Sequence, residues 1–262
     1  MPTVLYEKKG KVVYITLNRP EVLNAINFET WGELIRAWER VRDDPDVWVA
    51  VVTGVGDRAF SAGQDLKEVT EEMAKAEKEG RPARVPIPDI TPVRGMQVWK
   101  PFIAAINGIA TGAGLELAMV CDIRIAADNA RLGLREPVQS LMPGGGGTQR
   151  LPRLVPLCKA LEVLFTGDFI DAQEAYRIGL VNKVVPRTEL MPQAEAFANR
   201  LTENGPLALR AIKEAVYRGL EMTLNEGLQL ELLLERMLFQ TEDAKEGPRA
   251  FTEKRKPVYK GR

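Results

Sequence analysis

The 262-residue sequence contains no histidine, and this absence excludes several kinds of active site. Without an imidazole there is no Ser-His-Asp triad, no Cys-His pair and no histidine metal site. Acid–base chemistry must therefore rely on carboxylates, lysines, tyrosines or backbone groups. An excess of charge is also missing, since 36 Lys and Arg residues balance 36 Asp and Glu residues. The composition therefore indicates neither a nucleic acid nor an acidic membrane as a partner.

Cysteines are few, and long apolar runs are absent. Cys121 and Cys158 sit among apolar residues, with no Cys-x-x-Cys pair and no third ligand, so we expect two buried thiols and no metal site. The amino terminus has an alternating strand pattern rather than that of a signal peptide, and no apolar run approaches the length of a bilayer. The sequence predicts a cytoplasmic protein without membrane contact.

Short β-branched runs alternate with helical patterns along the first part of the chain, which predicts an α/β core. The first helix is marked by apolar residues at helical spacing from Trp31 to Val41, and it should end at Asp43-Asp44-Pro45. Beyond about residue 190, helical patterns dominate. We divide the chain into an α/β core, 1–190, and a helical segment, 191–262. The predicted strands cover residues 11–17, 47–53, 101–106, 123–127 and 180–185.

The helical segment carries more apolar surface than a solitary exposed helix would. Helices are predicted at 193–203, at 206–219 and from about 224, where Thr223 and Glu226 fit a capping box. The last of these helices is rich in leucine. This surface predicts that the segment packs against another subunit.

Residues 68–95 form the least regular part of the pattern. The stretch begins as a charged run and then carries four prolines between Pro82 and Pro92. We expect a mobile or irregular loop there.

A turn of small residues, Ser61-Ala62-Gly63, follows a strand pattern and leads to Gln64-Asp65. Backbone N–H groups at such a turn can bind an anion or an oxyanion, but the turn can equally be structural, with an Asp near a helix start. Ser61 is disfavoured as a nucleophile because the chain has no imidazole to activate it.

A second glycine-rich turn, residues 107–114, connects a strand pattern to an apolar helix whose first turn holds Glu116. The turn offers N–H groups at the positive end of the helix dipole. A carboxylate in so apolar a run would be costly to bury unless its charge is matched or used. A functional Glu116 is therefore favoured over a residue that is merely well placed for the dipole.

Glu136 stands at the end of a short strand pattern, before the glycine run 144–147, which allows very close backbone approach. Taken alone, Glu136 is more often a solvated or arginine-paired carboxylate than a catalyst. Arg135 precedes it, but neighbours on an extended segment point to opposite sides. At the other end of the chain, the basic cluster after Phe251 could hold a phosphate or form a solvated tail.

In this order the motifs resemble those of the crotonase (enoyl-CoA hydratase/isomerase) superfamily. The resemblance implies an α/β fold built as a crotonase-like spiral of ββα units with a C-terminal helical oligomerisation segment. It also implies a homo-oligomer, a trimer or a hexamer formed as a dimer of trimers. The matching stretches are LNRPEVLNAI, AFSAGQDLKE, KPFIAAINGIATGAGLELAMVCDIRIAA, MPGGGGTQRLPR, residues 172–182 and FTEKRKP.

The resemblance also implies roles for individual residues. The thioester carbonyl would lie between the backbone N–H groups of Gln64 and Ala113, which form an oxyanion hole. Glu116 and Glu136 fall on the two glutamates that hydratases of this family use; the resemblance implies Glu116 as the base for the water and Glu136 as the proton donor to the α-carbon. The residues implied to line the coenzyme A path are Ala62, Gln64, Asp65, Leu66 and Lys67, with Phe251 and Lys254 covering the coenzyme A end.

The implied reaction is addition of water to a 2-enoyl-CoA thioester, with no metal and no cofactor besides the coenzyme A of the substrate. Alternatives are another crotonase reaction such as enoyl-CoA isomerisation, which can dispense with one glutamate, or a catalytically idle RNA-binding oligomer, against which the balanced charge argues. Three departures from the family pattern stand out. Gln64 and Ala113 replace more usual Ala or Gly, Glu21 replaces a Lys near the coenzyme A phosphates, and Arg135 could favour ionised Glu136 by turning inward.

Overall fold

The structure is a computed structural model that describes residues 1–84 and 86–262. Each of the five predicted strands is confirmed, and further strands lie before and between them. Their apolar, β-branched sequences suit strands that are covered on both faces. The strands are β1 (Val4–Lys9), β2 (Val12–Leu17), β3 (Val49–Gly54), β4 (Ala59–Ser61), β5 (Phe102–Ile106), β6 (Ile109–Thr111), β7 (Ile123–Ala127), β8 (Arg131–Gly133), β9 (Ile170–Asp171) and β10 (Lys183–Val185).

Helices connect these strands and make up most of the chain after residue 190, as predicted. Short 3₁₀ turns cover Pro20–Val22, Glu136–Gln139 and Arg187–Glu189. The α-helices are α1 (Phe28–Asp43), α2 (Leu66–Glu79), α3 (Ala113–Val120), α4 (Gly147–Leu154), α5 (Leu157–Thr166), α6 (Ala172–Arg177), α7 (Leu190–Thr202), α8 (Pro206–Gly219), α9 (Leu224–Leu238) and α10 (Glu242–Thr252).

The strands of the described residues form two sheets. The larger has the order β1-β2-β3-β5-β7-β10 and is parallel apart from the β1–β2 pair. The smaller has the order β4-β6-β8-β9, with only β9 antiparallel to its neighbour. The chain alternates between the sheets, so that β3 is followed by β4 and α2, and β5 by β6 and α3. These are the predicted ββα units of an α/β fold.

Helix α1 confirms the spacing found in the sequence. Its side chains Trp31, Leu34, Trp38 and Val41 are buried, and the Trp38 ring stacks on Phe102 with centroids 4.8 Å apart. The helix ends at its predicted position, because the residue after Asp44 is a proline.

Helix α7 covers the other face of the larger sheet. Its buried residues Leu190, Ala194 and Ala198 pack in one apolar cluster with Val49 and Ile103 of the central strands. Helices α8 and α9 follow as a pair, and Thr223 and Glu226 form the predicted capping box at the start of α9. In the part of the chain that the structure describes, no helix combines the length and hydropathy needed to cross a membrane.

Two sequence predictions are wrong. Within the stretch 68–95, the residues up to Glu79 belong to α2 rather than to an irregular loop, because the prolines that would interrupt a helix begin only after its C-cap, Gly80. Val85 lies outside the described residues. Cys158 is exposed rather than buried, since it lies on the outer face of α5, whereas Cys121 is buried as expected.

Candidate active site

The turns that carry Gln64 and Ala113 lie side by side at the edge of the smaller sheet. Gln64 follows β4, and Ala113 is the first residue of α3. A Cβ built on Gly63 would stand 3.3 Å from the Ala113 nitrogen, so the two turns touch. Neither the Gln64 nor the Ala113 N–H donates to an acceptor within residues 1–84 and 86–262. Two backbone donors are therefore available at one place, where the resemblance implies an oxyanion hole.

Close packing of α3 on β4 holds the two turns together. A Cβ on Gly114 would stand 2.5 Å from the Ser61 carbonyl oxygen, so only glycine allows this approach. The buried Ser61 hydroxyl donates to the Asn24 carbonyl over 2.8 Å and accepts the Gly63 N–H at 3.2 Å. Ser61 thus holds the turn in place, which is a structural role and agrees with the expectation that disfavours it as a nucleophile.

Glu116 projects from the first turn of α3 and is fully buried. Its Oε1 accepts the N–H groups of Gly145, at 2.8 Å, and Gly147, at 2.7 Å. Its Oε2 has no hydrogen-bond partner among the described residues. The carboxylate is therefore fixed through one oxygen, while the other can accept a hydrogen bond from a substrate or water.

The glycine run 144–147 supplies these N–H donors. From the sequence, the run indicated only that the backbone could approach another group closely. A Cβ on Gly147 would stand 3.0 Å from Glu116 Oε1. The guanidinium of Arg150 braces the run by donating to the carbonyls of Gly145 and Val93, each over 2.9 Å. Arg94 also donates to this run, at the Gly144 carbonyl. Neither arginine was singled out from the sequence, because both make contacts between distant segments.

Glu136 opens the 3₁₀ turn that follows β8, and its carboxyl group lies beside Gly112, the residue before Ala113. A Cβ on Gly112 would stand 3.1 Å from Glu136 Oε1. The other oxygen, Oε2, is buried and has no partner in the described part of the chain. Since Gly112 is the N-cap of the helix that carries Glu116, the structure brings both glutamates to the same helix end.

Arg135 turns away from this site. Its Nη1 donates to the Gly167 carbonyl over 3.2 Å, and its guanidinium lies 5.0 Å from the centre of the Phe169 ring. The arginine is not among the charges that act on Glu136. The inward turn considered from the sequence does not occur.

Burial raises the pKa of both carboxyl groups, but the neighbouring groups that counteract this rise differ between Glu116 and Glu136. Burial raises the pKa of Glu136 to about 7, and the charge of Glu116 adds to the rise. Burial also raises the pKa of Glu116, but its two backbone N–H donors and the charges of Arg150 and Arg94 oppose the rise. Glu116 is therefore supported as the ionised partner, and Glu136 as the group that keeps its proton near neutral pH.

The residues implied for coenzyme A fall into two separate groups. Residues 62–67 run through the turn at Gln64 into the start of α2, where Leu66 and Lys67 are exposed. The Ala62 N–H donates to the Leu23 carbonyl, and Asp65 forms an ion pair with Arg19 at 2.9 Å. Phe251, 85% exposed, and Lys254 lie at the end of α10. No hydrogen bond or ion pair within the described chain joins this pair to residues 62–67.

The family described as enoyl-CoA hydratase/isomerase matches residues 7–262. The chain belongs to this family. It resembles the (E)-benzylidenesuccinyl-CoA hydratase of Thauera aromatica, with 43% identity over the full length of both chains. The short-chain-enoyl-CoA hydratase of Clostridium acetobutylicum is also 43% identical, over 97% of this chain and 95% of the relative.

Solved structures of family members share the fold. The crystal structure of enoyl-CoA hydratase from Bacillus anthracis matches with a TM-score of 0.90 and 40% identity, over 99% of this chain and 100% of that one. That of enoyl-CoA hydratase from Mycobacterium tuberculosis matches with a TM-score of 0.91 and 33% identity over both full chains. The predicted crotonase fold is confirmed.

Proposed function

We propose that this member of the enoyl-CoA hydratase/isomerase family adds water across the 2,3 double bond of a 2-enoyl-CoA to give a 3-hydroxyacyl-CoA. It is thus a hydro-lyase. The observation that carries the mechanism is that the carboxyl groups of Glu116 and Glu136 lie at the same end of α3, in surroundings that affect their pKa values differently. The available N–H groups of Gln64 and Ala113 lie beside them.

The thioester carbonyl oxygen binds between the Gln64 and Ala113 N–H groups. Addition of water to the β-carbon pushes the electrons of the double bond toward this oxygen, which becomes an enolate. Both donors then strengthen their bonds to a negative charge, and each contributes roughly 3 kcal/mol of transition-state stabilisation.

Glu116 activates the water. Its free Oε2 accepts one proton while the remaining hydroxide oxygen bonds to the β-carbon. The Gly145 and Gly147 N–H groups keep Oε1 in place and favour the ionised form before the reaction.

Glu136 completes the addition by giving its proton to the α-carbon of the enolate. Its burial and the charge of Glu116 keep it protonated until that step. Each turnover leaves Glu116 protonated and Glu136 ionised, so a proton passes from one to the other, directly or through solvent, before the next cycle.

The names of the relatives support this choice of reaction. The Thauera, Clostridium and Syntrophomonas wolfei proteins are named as hydratases of benzylidenesuccinyl-CoA, short-chain enoyl-CoA and crotonyl-CoA. Their acyl groups differ, while hydration is common to all. Crotonyl-CoA is the simplest of these substrates and the first one to offer.

The coenzyme A moiety lies along residues 62–67, and a neighbouring subunit supplies Phe251 and Lys254 at its far end. Support comes from the exposure of Phe251 and from the lack of any hydrogen bond or ion pair between this pair and residues 62–67 among the described residues. The assembly is a homo-oligomer, a trimer or a hexamer. The reaction requires no metal and no further cofactor, and the protein is cytoplasmic, in keeping with its two free thiols, Cys121 and Cys158.

Substitution of each glutamate tests the assignment. In Glu116→Gln and Glu136→Gln, hydration of crotonyl-CoA falls to background while folding and coenzyme A affinity stay intact, because the amide removes proton transfer and little else. Glu29→Gln, an exposed change on α1, controls for loss of a carboxylate. Loss of the conjugated enoyl absorbance gives the rate. Full activity in either site variant contradicts the two-carboxylate mechanism, and isomerisation of 3-enoyl-CoA without hydration favours an isomerase.

A further inference from the structure

Gln64 has a side-chain contact that its backbone role does not require. The indole Nε1 of Trp31, which is fully buried in α1, donates to Gln64 Oε1 over 3.0 Å. An indole N–H can only donate, so the carboxamide must present its oxygen to Trp31. The carboxamide nitrogen, Nε2, is buried and has no partner among the residues described.

The peptide that carries the Gln64 N–H needs such external support. Gly63 has φ +86°, and a glycine imposes little restriction of its own on the following peptide plane. On one side, the Gly63 carbonyl accepts the Ile26 N–H at 2.7 Å. In a trans peptide the N–H points opposite to the carbonyl, so this bond turns the Gln64 N–H away from Ile26. Trp31 then fixes the same residue through its side chain.

We propose that Trp31 is a positioning residue for the oxyanion hole and acts through the carboxamide of Gln64. The inference rests on the proposed function, in which the Gln64 N–H binds the thioester oxygen. The hydrogen bond ties the Gln64 turn to the buried face of α1. The reaction needs only the backbone N–H of Gln64, and the bond from Trp31 to the Gln64 side chain holds that backbone in place.

Loss of the indole N–H leaves both polar atoms of the carboxamide without a partner among the described residues, and Nε2 is buried. Burial of such a group is unfavourable, so the side chain swings toward water and carries the Gln64 backbone with it. Displacement of a reacting group by a fraction of an ångström lowers the rate of the chemical step more than it weakens binding of the coenzyme A moiety.

A double-mutant cycle of Trp31→Phe and Gln64→Met tests this bond from both ends. Each single variant is expected to lower kcat for crotonyl-CoA by about tenfold, with KM changed less than about twofold. The double variant is expected to lose about tenfold as well, because the same bond is removed only once. If the two residues affect catalysis independently of this bond, the losses multiply to about a hundredfold, and if Trp31 supports the fold alone, Trp31→Phe leaves kcat unchanged; either result overturns the proposal.

Trp38→Phe is the matched control for packing. Trp38 is a second buried tryptophan of α1, and it stacks on Phe102 rather than bonding Gln64. We expect Trp38→Phe to lower Tm as Trp31→Phe does, with kcat unchanged. An equal fall of kcat in both variants contradicts a positioning role. If Trp31→Phe does not fold, Gln64→Met keeps the core intact and must by itself reproduce the tenfold loss.

A second readout does not depend on turnover. A 3-ketoacyl-CoA bound at the site ionises to an enolate that absorbs at longer wavelength than the keto form, and the oxyanion hole favours this ionisation. We expect a smaller enolate absorbance at fixed pH in Trp31→Phe and Gln64→Met than in the parent chain or Trp38→Phe. Unchanged absorbance in both overturns the inference. A parent chain that does not hydrate crotonyl-CoA overturns the proposed function instead.

Discussion

The carboxyl group of Glu136 lies against Gly112, whose backbone has φ +53°, and a Cβ there would stand 3.1 Å from Oε1. A side chain at position 112 would therefore be strained and would press on the acid. We expect Gly112→Ala to reduce kcat for crotonyl-CoA by roughly a hundredfold, because it displaces both Glu136 and the adjacent Ala113 N–H.

Gly80→Ala separates backbone strain from contact with the acid. Gly80 also has positive φ, +63°, but an added Cβ meets nothing within 4 Å. Both variants should lose stability, by about 1 kcal/mol or more, in thermal unfolding. Only Gly112→Ala should lose activity, and equal kcat losses in the two would show that Glu136 is not affected by the contact.

The rate of hydration should fall as the pH rises through about 7. Hydration needs Glu136 protonated, and burial raises its pKa to about 7, so a rising fraction of molecules lacks the proton above that value. We expect log(kcat/KM) to decline with a slope approaching −1 on the alkaline side. Steady-state rates from pH 5 to 9 provide the measurement, and a flat profile up to pH 9 would contradict the assignment.

The same raised pKa makes stability depend on pH. Below the ordinary pKa of 4.5, Glu136 is protonated in both the folded and unfolded chains and has no effect. As the pH rises from 4.5 through 7, the unfolded chain ionises first, so folding stability is lost. The raised pKa of Glu136 corresponds to a loss of at most about 3 kcal/mol in the free energy of unfolding, and solvent screening reduces this loss. Glu136→Gln cannot ionise, so denaturant unfolding should show it gaining stability over the parent at pH 8 but not at pH 4.

Arg94 should influence the acid side of the pH profile. Its charge opposes the rise that burial causes in the pKa of Glu116, so its removal allows that pKa to rise further. Because the reaction needs Glu116 ionised, Arg94→Met should move the acid limb of kcat/KM to higher pH. Arg153→Met, on the exposed side of α4, is the control and should leave the limb in place.

Much of the scaffold could be predicted from local pattern, because its causes are local. The helical spacing in α1 and the capping box at Thr223 depend on residues a few positions apart. The sequence prediction fails for the charged helix α2 because the prolines that mark the stretch as irregular all follow Gly80, where the helix has already ended. The prediction fails for Cys158 because apolar neighbours in sequence do not show which face of a helix points outward.

The site itself could be predicted only as far as residue type and family resemblance reach. The sequence indicated Glu116 because a lone carboxylate in an apolar helix needs a reason. It could not show that Gly145 and Gly147 hold that carboxylate, since the contact joins segments about 30 residues apart. The bond between Trp31 and Gln64 has the same character: neither residue signals the other until the fold places them together.

We expect the chain to assemble into an oligomer through the exposed apolar faces of α8 and α9. Leu224 and Leu228 are 80% and 50% exposed in the single chain and stand one turn apart on α9. Burial of this much apolar surface between subunits is favourable. A carboxylate at either position would be buried without a partner in the assembly, which disfavours association. The double variant Leu224→Asp and Leu228→Asp should therefore sediment as a monomer, while Gln229→Asp, an exposed polar position on the same helix, keeps the parent mass. A parent chain that is already monomeric in solution would contradict this role for α9 and the placement of Phe251 and Lys254 at a neighbour's site.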